Sequence, residues 1–262
     1  MLFRSNQRAK LGFRYKGEWH YTITPIPLYI KRRRLLLDLL KPFIHDANNI
    51  CDFGCGDGYY LSHFNKLTLG QKEFTGIDIS EEMIAIASYK IPGLNLFKAA
   101  NGIPDNIANA PFNLIYSIAV FAHIDDDSLL NSIFESFKHN LLPGGKLIIF
   151  EQVAPVSYRG KSFIRRTIKD YEDLIIKYGF KVQNHTLISF DCHRYFERYL
   201  AKIYYKYFCK GNSDHEKRIH ANSQILFRLM SMFFLMFDTN PLKQHINSGW
   251  GNVFMVFENQ TS

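Results

Sequence analysis

The chain has 262 residues, 47% of them hydrophobic and 15% aromatic, with a formal net charge of +8. That suits one domain with an elaboration and gives ample material for a core. The four cysteines (Cys51, Cys55, Cys192, Cys209) show no Cys-x-x-Cys spacing and read as reduced thiols of a cytosolic protein, which excludes a disulfide framework.

The opening residues, MLFRSNQRAK, lack the sustained apolar run of a signal peptide. The most apolar late stretch, Ile225 to Phe237, contains Arg228 and is well short of the about 20 residues a membrane span needs. A cytoplasmic protein is expected, with peripheral contact at the inner face of a membrane left open. The positive charge gathers in Lys31-Arg32-Arg33-Arg34 and between Arg159 and Lys169. It fits a solvated surface, an anionic small-molecule or glycan acceptor, an acidic lipid surface, or nucleic acid.

In chain order, residues 1–28 form a basic, aromatic arm closed by Pro25 and Pro27. Within it Trp19, His20 and Tyr21 either pack the arm onto the body or serve as a lid. Leu36, Leu37 and Leu40 repeat at helical spacing, and Pro42 is read as the end of that helix. Residues 1–45 are thus an arm and helix. Ile50 to Phe53 is the first strand, followed by glycines at alternate positions (Gly54, Gly56, Gly58) and a helix from Tyr59. Phe74 to Ile79 is the second strand, and Ser80 caps the next helix. Leu94 to Lys98 is the third strand and Phe112 to Ser117 the fourth. Asp125, Asp126 and Asp127 read as caps of a helix and not as a metal site, so no metal is expected. Pro143-Gly144-Gly145 is a turn into a buried fifth strand, Lys146 to Glu151. Thr167 and Asp170 form a capping box. Phe180 to Phe190 is a sixth strand, and Val253 to Phe257 the last.

This alternation predicts a parallel sheet with helices on both faces, with ligands at the carboxyl ends of the strands. Residues 46–190 make the core, 191–245 an aromatic helical insert that caps the substrate, and 246–262 the last strand and tail. The glycine spacing departs from the dinucleotide fingerprint, because Tyr59 stands where G-x-G-x-x-G requires glycine.

The stretch Asp52-Phe53-Gly54-Cys55-Gly56-Asp57-Gly58 resembles motif I of class I S-adenosylmethionine-dependent methyltransferases. Asp78 matches that family's acidic residue after the second strand. Residues 113–124 resemble its fourth-strand segment, and residues 141–151 its turn into the fifth strand. The resemblance implies a Rossmann-like, seven-stranded, mostly parallel sheet with a helical insert before the last strand, and S-adenosyl-L-methionine as cofactor. It implies that the loop from Gly54 through Cys55, Gly56 and Gly58 approaches the methionyl part, with the Gly54 carbonyl and Asp52 serving the ammonium. Asp78 would accept the ribose hydroxyls, Ile79 would pack on the adenine, and Ser117 would lie beside the cofactor. Where the family carries an acid after the third strand this chain has Ala99, so the Ala100 amide and Asn101 are the candidates for the adenine contact.

For the acceptor side, His123 is the leading base, ahead of Glu151 and then His20. Trp19, Tyr21, Tyr195 and Tyr199 are candidate substrate-binding residues, the last two, with Tyr204 and Tyr205, as stacking platforms. No Asp/Asn-Pro-Pro-aromatic motif follows the fourth strand, and no cysteine stands there for attack on a base, so nucleic acid rests on charge alone. The expected reaction is O-methylation of a small or carbohydrate-type acceptor (a phosphorylated, nucleotide-linked or lipid-linked sugar). A lipid, quinone or natural product is the alternative, supported if Ile225 to Phe237 lines the pocket. A noncatalytic scaffold that binds an anionic partner is a third reading.

Overall fold

The computed structural model describes residues 26–105, 107, 110–160, 163–244 and 249–260. Trp19, His20 and Tyr21 lie outside these residues. The chain opens with α1 (Ile26–Asp46), β1 (Asn49–Phe53), α2 (Tyr59–Leu67), β2 (Glu73–Asp78), α3 (Glu81–Lys90), β3 (Asn95–Lys98) and β4 (Phe112–Ile118). A single 3-10 turn, Phe121–His123, leads to α4 (Asp127–Asn140) and β5 (Leu141–Val153). A small hairpin of β6 (Tyr158–Arg159) and β7 (Ile164–Arg165) precedes α5 (Ile168–Ile176) and β8 (Phe180–Ile188). The insert comprises α6 (Asp191–Tyr195), a π-helical segment (Phe196–Leu200), α7 (Ala201–Phe208), α8 (Asp214–Ser223) and α9 (Ile225–Met236). The chain then adds β9 (Leu242–Gln244) and β10 (Gly251–Asn259).

The main sheet runs β3-β2-β1-β4-β5-β10-β8-β9, eight strands where seven were expected. Strands β1 to β5 pair in parallel, and β10 enters antiparallel between β5 and β8. The additional strand is β9, which pairs antiparallel with Thr186–Ile188 at the sheet edge. Its three residues are too few to show an alternating pattern, so only the sheet edge itself reveals it.

Alternation along each strand sends side chains to two cores. Ile50, Leu114, Tyr116, Ile148 and Phe150 face α1 and α2, where Leu36, Leu40, Ile44, Leu61 and Phe64 meet them. Phe53, Ile115, Leu147 and Ile149 face α4 and α5, against Leu130, Phe134, Phe137, Tyr171 and Ile175. The insert has a smaller core of its own around Phe196, Tyr204, Tyr205 and Phe227. Tyr204 and Tyr205 are therefore packing residues and not stacking platforms.

Local signals fold as the sequence implies. The Ser80 hydroxyl accepts from Met83 N–H, Asp126 caps α4, and Thr167 with Asp170 closes a capping box. Two boundaries differ. Pro42 does not end α1, which continues to Asp46. A proline inside a helix costs about 3 kcal/mol, but Leu40 and Ile44 on either side of it are fully buried, each worth about 1.5–3 kcal/mol. Packing of that turn outweighs the lost bond. Pro143-Gly144-Gly145 lies inside β5 as an outward excursion: Leu141 pairs with Phe112 and Lys146 with Leu114.

Candidate active site

The glycine loop closes over the carboxyl end of β2. The N–H groups of Gly54 and Cys55 both donate to the Ile77 carbonyl, at 2.7 and 2.9 Å. Gly56 N–H donates to Asp78 Oδ2 and Ser80 N–H to Asp78 Oδ1, each at 2.9 Å. These two bonds fix the Asp78 carboxylate at the carboxyl end of β2, against the glycine loop. All three glycines have positive φ. At Gly54 a Cβ would sit 2.1 Å from Val120 Cγ2, and at Gly58 it would sit 2.8 Å from Ile91 Cδ1. Glycine at these two positions serves close packing as well as backbone conformation.

Asp52 lies beneath this loop, 1% exposed. Its Oδ2 has no hydrogen-bond partner among the described residues. Burial pushes its pKa up to about 8; the nearby Tyr116 hydroxyl opposes the rise, and the negative charges of Asp78 and Asp57 add to it. A buried carboxyl flanked by the Tyr116 hydroxyl, beside a glycine cradle that side chains would fill, fits a ligand carrying a positive charge. The residues present therefore suit the ammonium of S-adenosylmethionine. Cys55 contributes backbone only, since its thiol is buried and 3.0 Å from where a Cβ on Gly76 would stand. Ile79 is half-buried beside Asp78, whereas Ala100 and Asn101 are exposed after β3. Ser117 is fully buried opposite Phe53, and its hydroxyl also lacks a partner among the described residues.

The next element is the turn that carries His123. Ala119, just after β4, holds φ 58, an uncommon conformation for a residue with a Cβ. It is secured by its N–H bond to the Phe150 carbonyl at 2.9 Å. Glu151 is buried, and its Oε1 accepts the Phe121 N–H at 2.6 Å. Burial pushes Glu151 up to about 7, while the N–H groups of Phe121, Ala122 and Val120 oppose that rise. From the other side Arg166 donates to the carbonyls of Phe121 (2.9 Å) and Ile124 (3.0 Å). The turn under His123 is thus clamped on its donors by Glu151 and on its acceptors by Arg166. Arg166 escaped the sequence reading because its partners are backbone atoms more than 40 positions away.

Further along the same edge, beyond β5, a cleft of about 180 Å³ opens at the ends of β5, β8 and β10. From the insert its walls take His193, Arg194 and Glu197. Tyr195 and Tyr199 instead pack on each other as a tilted pair, 4.8 Å between centroids, about half exposed and outside this cleft. The run Ile225 to Phe237 does not line it either. Phe227, Ser231 and Leu235 of α9 face inward, while Ile225, Leu226, Leu229, Met232, Phe233 and Met236 are exposed. Among the described residues no helix is long and apolar enough to cross a membrane. Nor does any group of three or more His, Cys, Asp or Glu side chains among them form a metal site.

A family described as a methyltransferase domain matches residues 29–207. A curated relative is the dTDP-3-amino-3,4,6-trideoxy-alpha-D-glucopyranose N,N-dimethyltransferase of Streptomyces venezuelae. It is 25% identical over 118 residues, which cover 44% of this chain and 46% of the relative, so less than half of that protein is spanned. Among solved structures, the O-methyltransferase of a trans-AT PKS multienzyme of Brevibacillus brevis, in complex with S-adenosyl-L-homocysteine, superposes with a TM-score of 0.57. The identity is 12%, over 89% of this chain and 77% of that one. The cyclase SpnF superposes with a TM-score of 0.56 at 15% identity, over 87% and 81% of the two chains. At such identities the likeness is one of fold, and a cyclase among the neighbours shows that fold alone does not choose a reaction. The family match spans the glycine loop, Asp78 and the His123 turn, and by it this chain belongs to the class I methyltransferases that use S-adenosylmethionine as methyl donor.

Proposed function

We propose that the protein methylates a hydroxyl of a small, sugar-type acceptor (phosphorylated, nucleotide-linked or lipid-linked). The observation that carries this reading is the character of the cleft at the ends of β5, β8 and β10. Gln152, Ser189 and Asn252 line it with amide and hydroxyl groups, the two amide oxygens held by Arg165 and Arg32 and the hydroxyl by Asp191, and Trp250 offers an aromatic face. Amide and hydroxyl groups around one indole suit a polyol ring, which has polar edges and an apolar face. The partial likeness to an amino-sugar methyltransferase points the same way.

Bound at the loop, S-adenosylmethionine supplies a methyl group on a positively charged sulfur. In this reading the Gly54 carbonyl and Asp52 hold its ammonium, and Asp78 takes the ribose hydroxyls. Ile79, the Ala100 amide and Asn101 face the adenine, and Ser117 borders the site. His123 takes the proton from the acceptor oxygen as that oxygen attacks, a contribution of about 10²–10⁴-fold. Glu151, buried beneath the turn, positions His123 through the Phe121 N–H. The insert, with Arg194 and Glu197 in the cleft wall, caps the acceptor. A second reading, N-methylation of an amino sugar, is favoured by the activity in the relative's name.

The test is turnover of a panel of hydroxy and amino sugars, free and nucleotide-linked, with the methylated atom located by NMR. In His123→Ala, turnover of a hydroxy acceptor should fall by about 10²-fold or more while affinity for S-adenosylhomocysteine is retained. Methylation of lipids or quinones with no sugar turned over refutes the sugar reading.

A further inference from the structure

The same cleft holds more positive charge than a neutral sugar requires. Arg32 enters from α1, Arg165 from the β6–β7 hairpin and Arg194 from the insert, against one carboxylate, Glu197. We propose that this cleft binds the phosphate or diphosphate group of the acceptor, gripped by Arg32, Arg165 and Arg194, with Trp250 against the adjoining ring. The assignment rests on the sugar-acceptor reading and specifies where the charged end of that acceptor is held.

Three features support it. First, among the described residues neither Arg32 nor Arg165 forms an ion pair. Arg32 Nη1 donates to Asn252 Oδ1 at 3.3 Å, and Arg165 Nη2 donates to Gln152 Oε1 at 2.8 Å. Both partners are neutral amides, so neither guanidinium is hydrogen-bonded to a carboxylate, and Glu197 acts on Arg32 only at a distance. A half-buried guanidinium without a carboxylate carries a desolvation cost that an anion relieves. Burial also lowers the pKa of Arg32, with Tyr60, Tyr29 and Glu197, in that order, acting against that shift.

Second, Arg165 is already held in place. The rings of Phe163, Tyr158 and Trp250 surround its guanidinium at 5.4, 5.7 and 6.0 Å. Its remaining N–H groups form a rigid fork of the kind that grips phosphate, with much of its rotamer freedom already lost. Arg194 is likewise tethered, through the Trp250 carbonyl (3.0 Å) and Asp191. Lys243 shares that aspartate, so Asp191 does not cancel the charge of Arg194 alone.

Third, the distance suits an anchor and not a reacting group. The order β1-β4-β5-β10 puts the cleft two to three strands from the glycine loop, about 10–14 Å at about 4.8 Å per strand. A phosphate gripped there leaves a sugar ring to reach back towards His123. His193, the other titratable group in the wall, stays neutral. Burial lowers its pKa to about 4, and its Nε2 meets Ser231 Oγ at 2.7 Å.

The test is calorimetry of the full chain at low ionic strength with inorganic phosphate, inorganic pyrophosphate and uridine diphosphate, each needing no acceptor turnover. Wild type should bind pyrophosphate. Arg165→Gln and Arg194→Gln should each weaken it about tenfold or more. Both variants should keep wild-type affinity for S-adenosylhomocysteine, which confirms that they fold. Uridine diphosphate binding more tightly than pyrophosphate assigns the group to a nucleotide-linked sugar, and equal binding assigns it to a sugar- or lipid-borne phosphate. Absence of pyrophosphate binding, or equal binding by wild type and both variants, overturns the anion site. Sugar methylation observed alongside that result leaves the acceptor class standing and rejects only the site.

Discussion

Replacing Asp52 with asparagine should stabilise the free protein, and the gain should grow with pH. In the unfolded chain this carboxyl ionises near its ordinary 3.8, whereas in the folded protein burial holds the proton on to about 8. Between those values the folded state binds a proton that the unfolded state has released. Stability therefore falls as pH rises, by about 1.4 kcal/mol per pH unit for this group. From pH 5 to pH 8 the loss amounts to about 3–4 kcal/mol. An asparagine side chain has no proton to lose and nearly the same shape. At about 2–4 °C per kcal/mol for a chain of this size, the Tm advantage of Asp52→Asn should widen by roughly 10 °C between the two pH values. Thermal unfolding at pH 5 and pH 8 measures it. A Tm difference that is the same at both pH values, or that shrinks as pH rises, would refute the buried neutral carboxyl. In the proposed reading the same residue ties stability to function. A bound ammonium favours the charged carboxylate, so binding expels the proton, and affinity for S-adenosylhomocysteine should rise up to about tenfold per pH unit below 8. The asparagine variant should bind more weakly and lose that pH dependence.

Two further outcomes are expected. Gly54→Ala places a Cβ 2.1 Å from Val120 Cγ2 on a backbone with φ +80, costing about 1–2 kcal/mol for conformation and about 1–3 kcal/mol for overlap. Adding Val120→Ala should recover the overlap portion only, a coupling that denaturant unfolding of the double-mutant cycle reads out. On α9, Phe227→Ala should cost about 3–5 kcal/mol, because Phe227 is 1% exposed. Phe233→Ala should stay within about 0.5 kcal/mol, because Phe233 is 55% exposed. Equal effects would refute this orientation of the helix, and a larger cost at Phe233 would mean that it faces the other way.

Much of the framework was legible because its signals are local. Ser80, Asp126 and Thr167 cap helices through bonds spanning two or three residues, and residue type at that spacing is enough to find them. Pro42 misled because its effect depends on the burial of Ile44, a property of the sheet beneath α1. The strained Ala119 was invisible because any residue type can precede such a turn, and only its bond to Phe150 and the packing of Val120 on Gly54 hold it. In the insert the aromatic pattern marked the segment, but the face turned to the cleft carries Arg194 and Glu197, not Tyr195 and Tyr199.

The half of the site that we assign to the donor was legible in the sequence alone. It is built from two short stretches, Asp52–Gly58 and Asp78–Ser80, that follow successive strands, so their chemistry can be read from residue type and spacing. The cleft that we assign to the acceptor was decided by tertiary structure. Arg32 meets Asn252 across 220 positions, and the cleft draws its walls from α1, β5, the β6–β7 hairpin, the insert and β10. No local pattern encodes such a meeting, because it arises only when the sheet order sets β10 between β5 and β8.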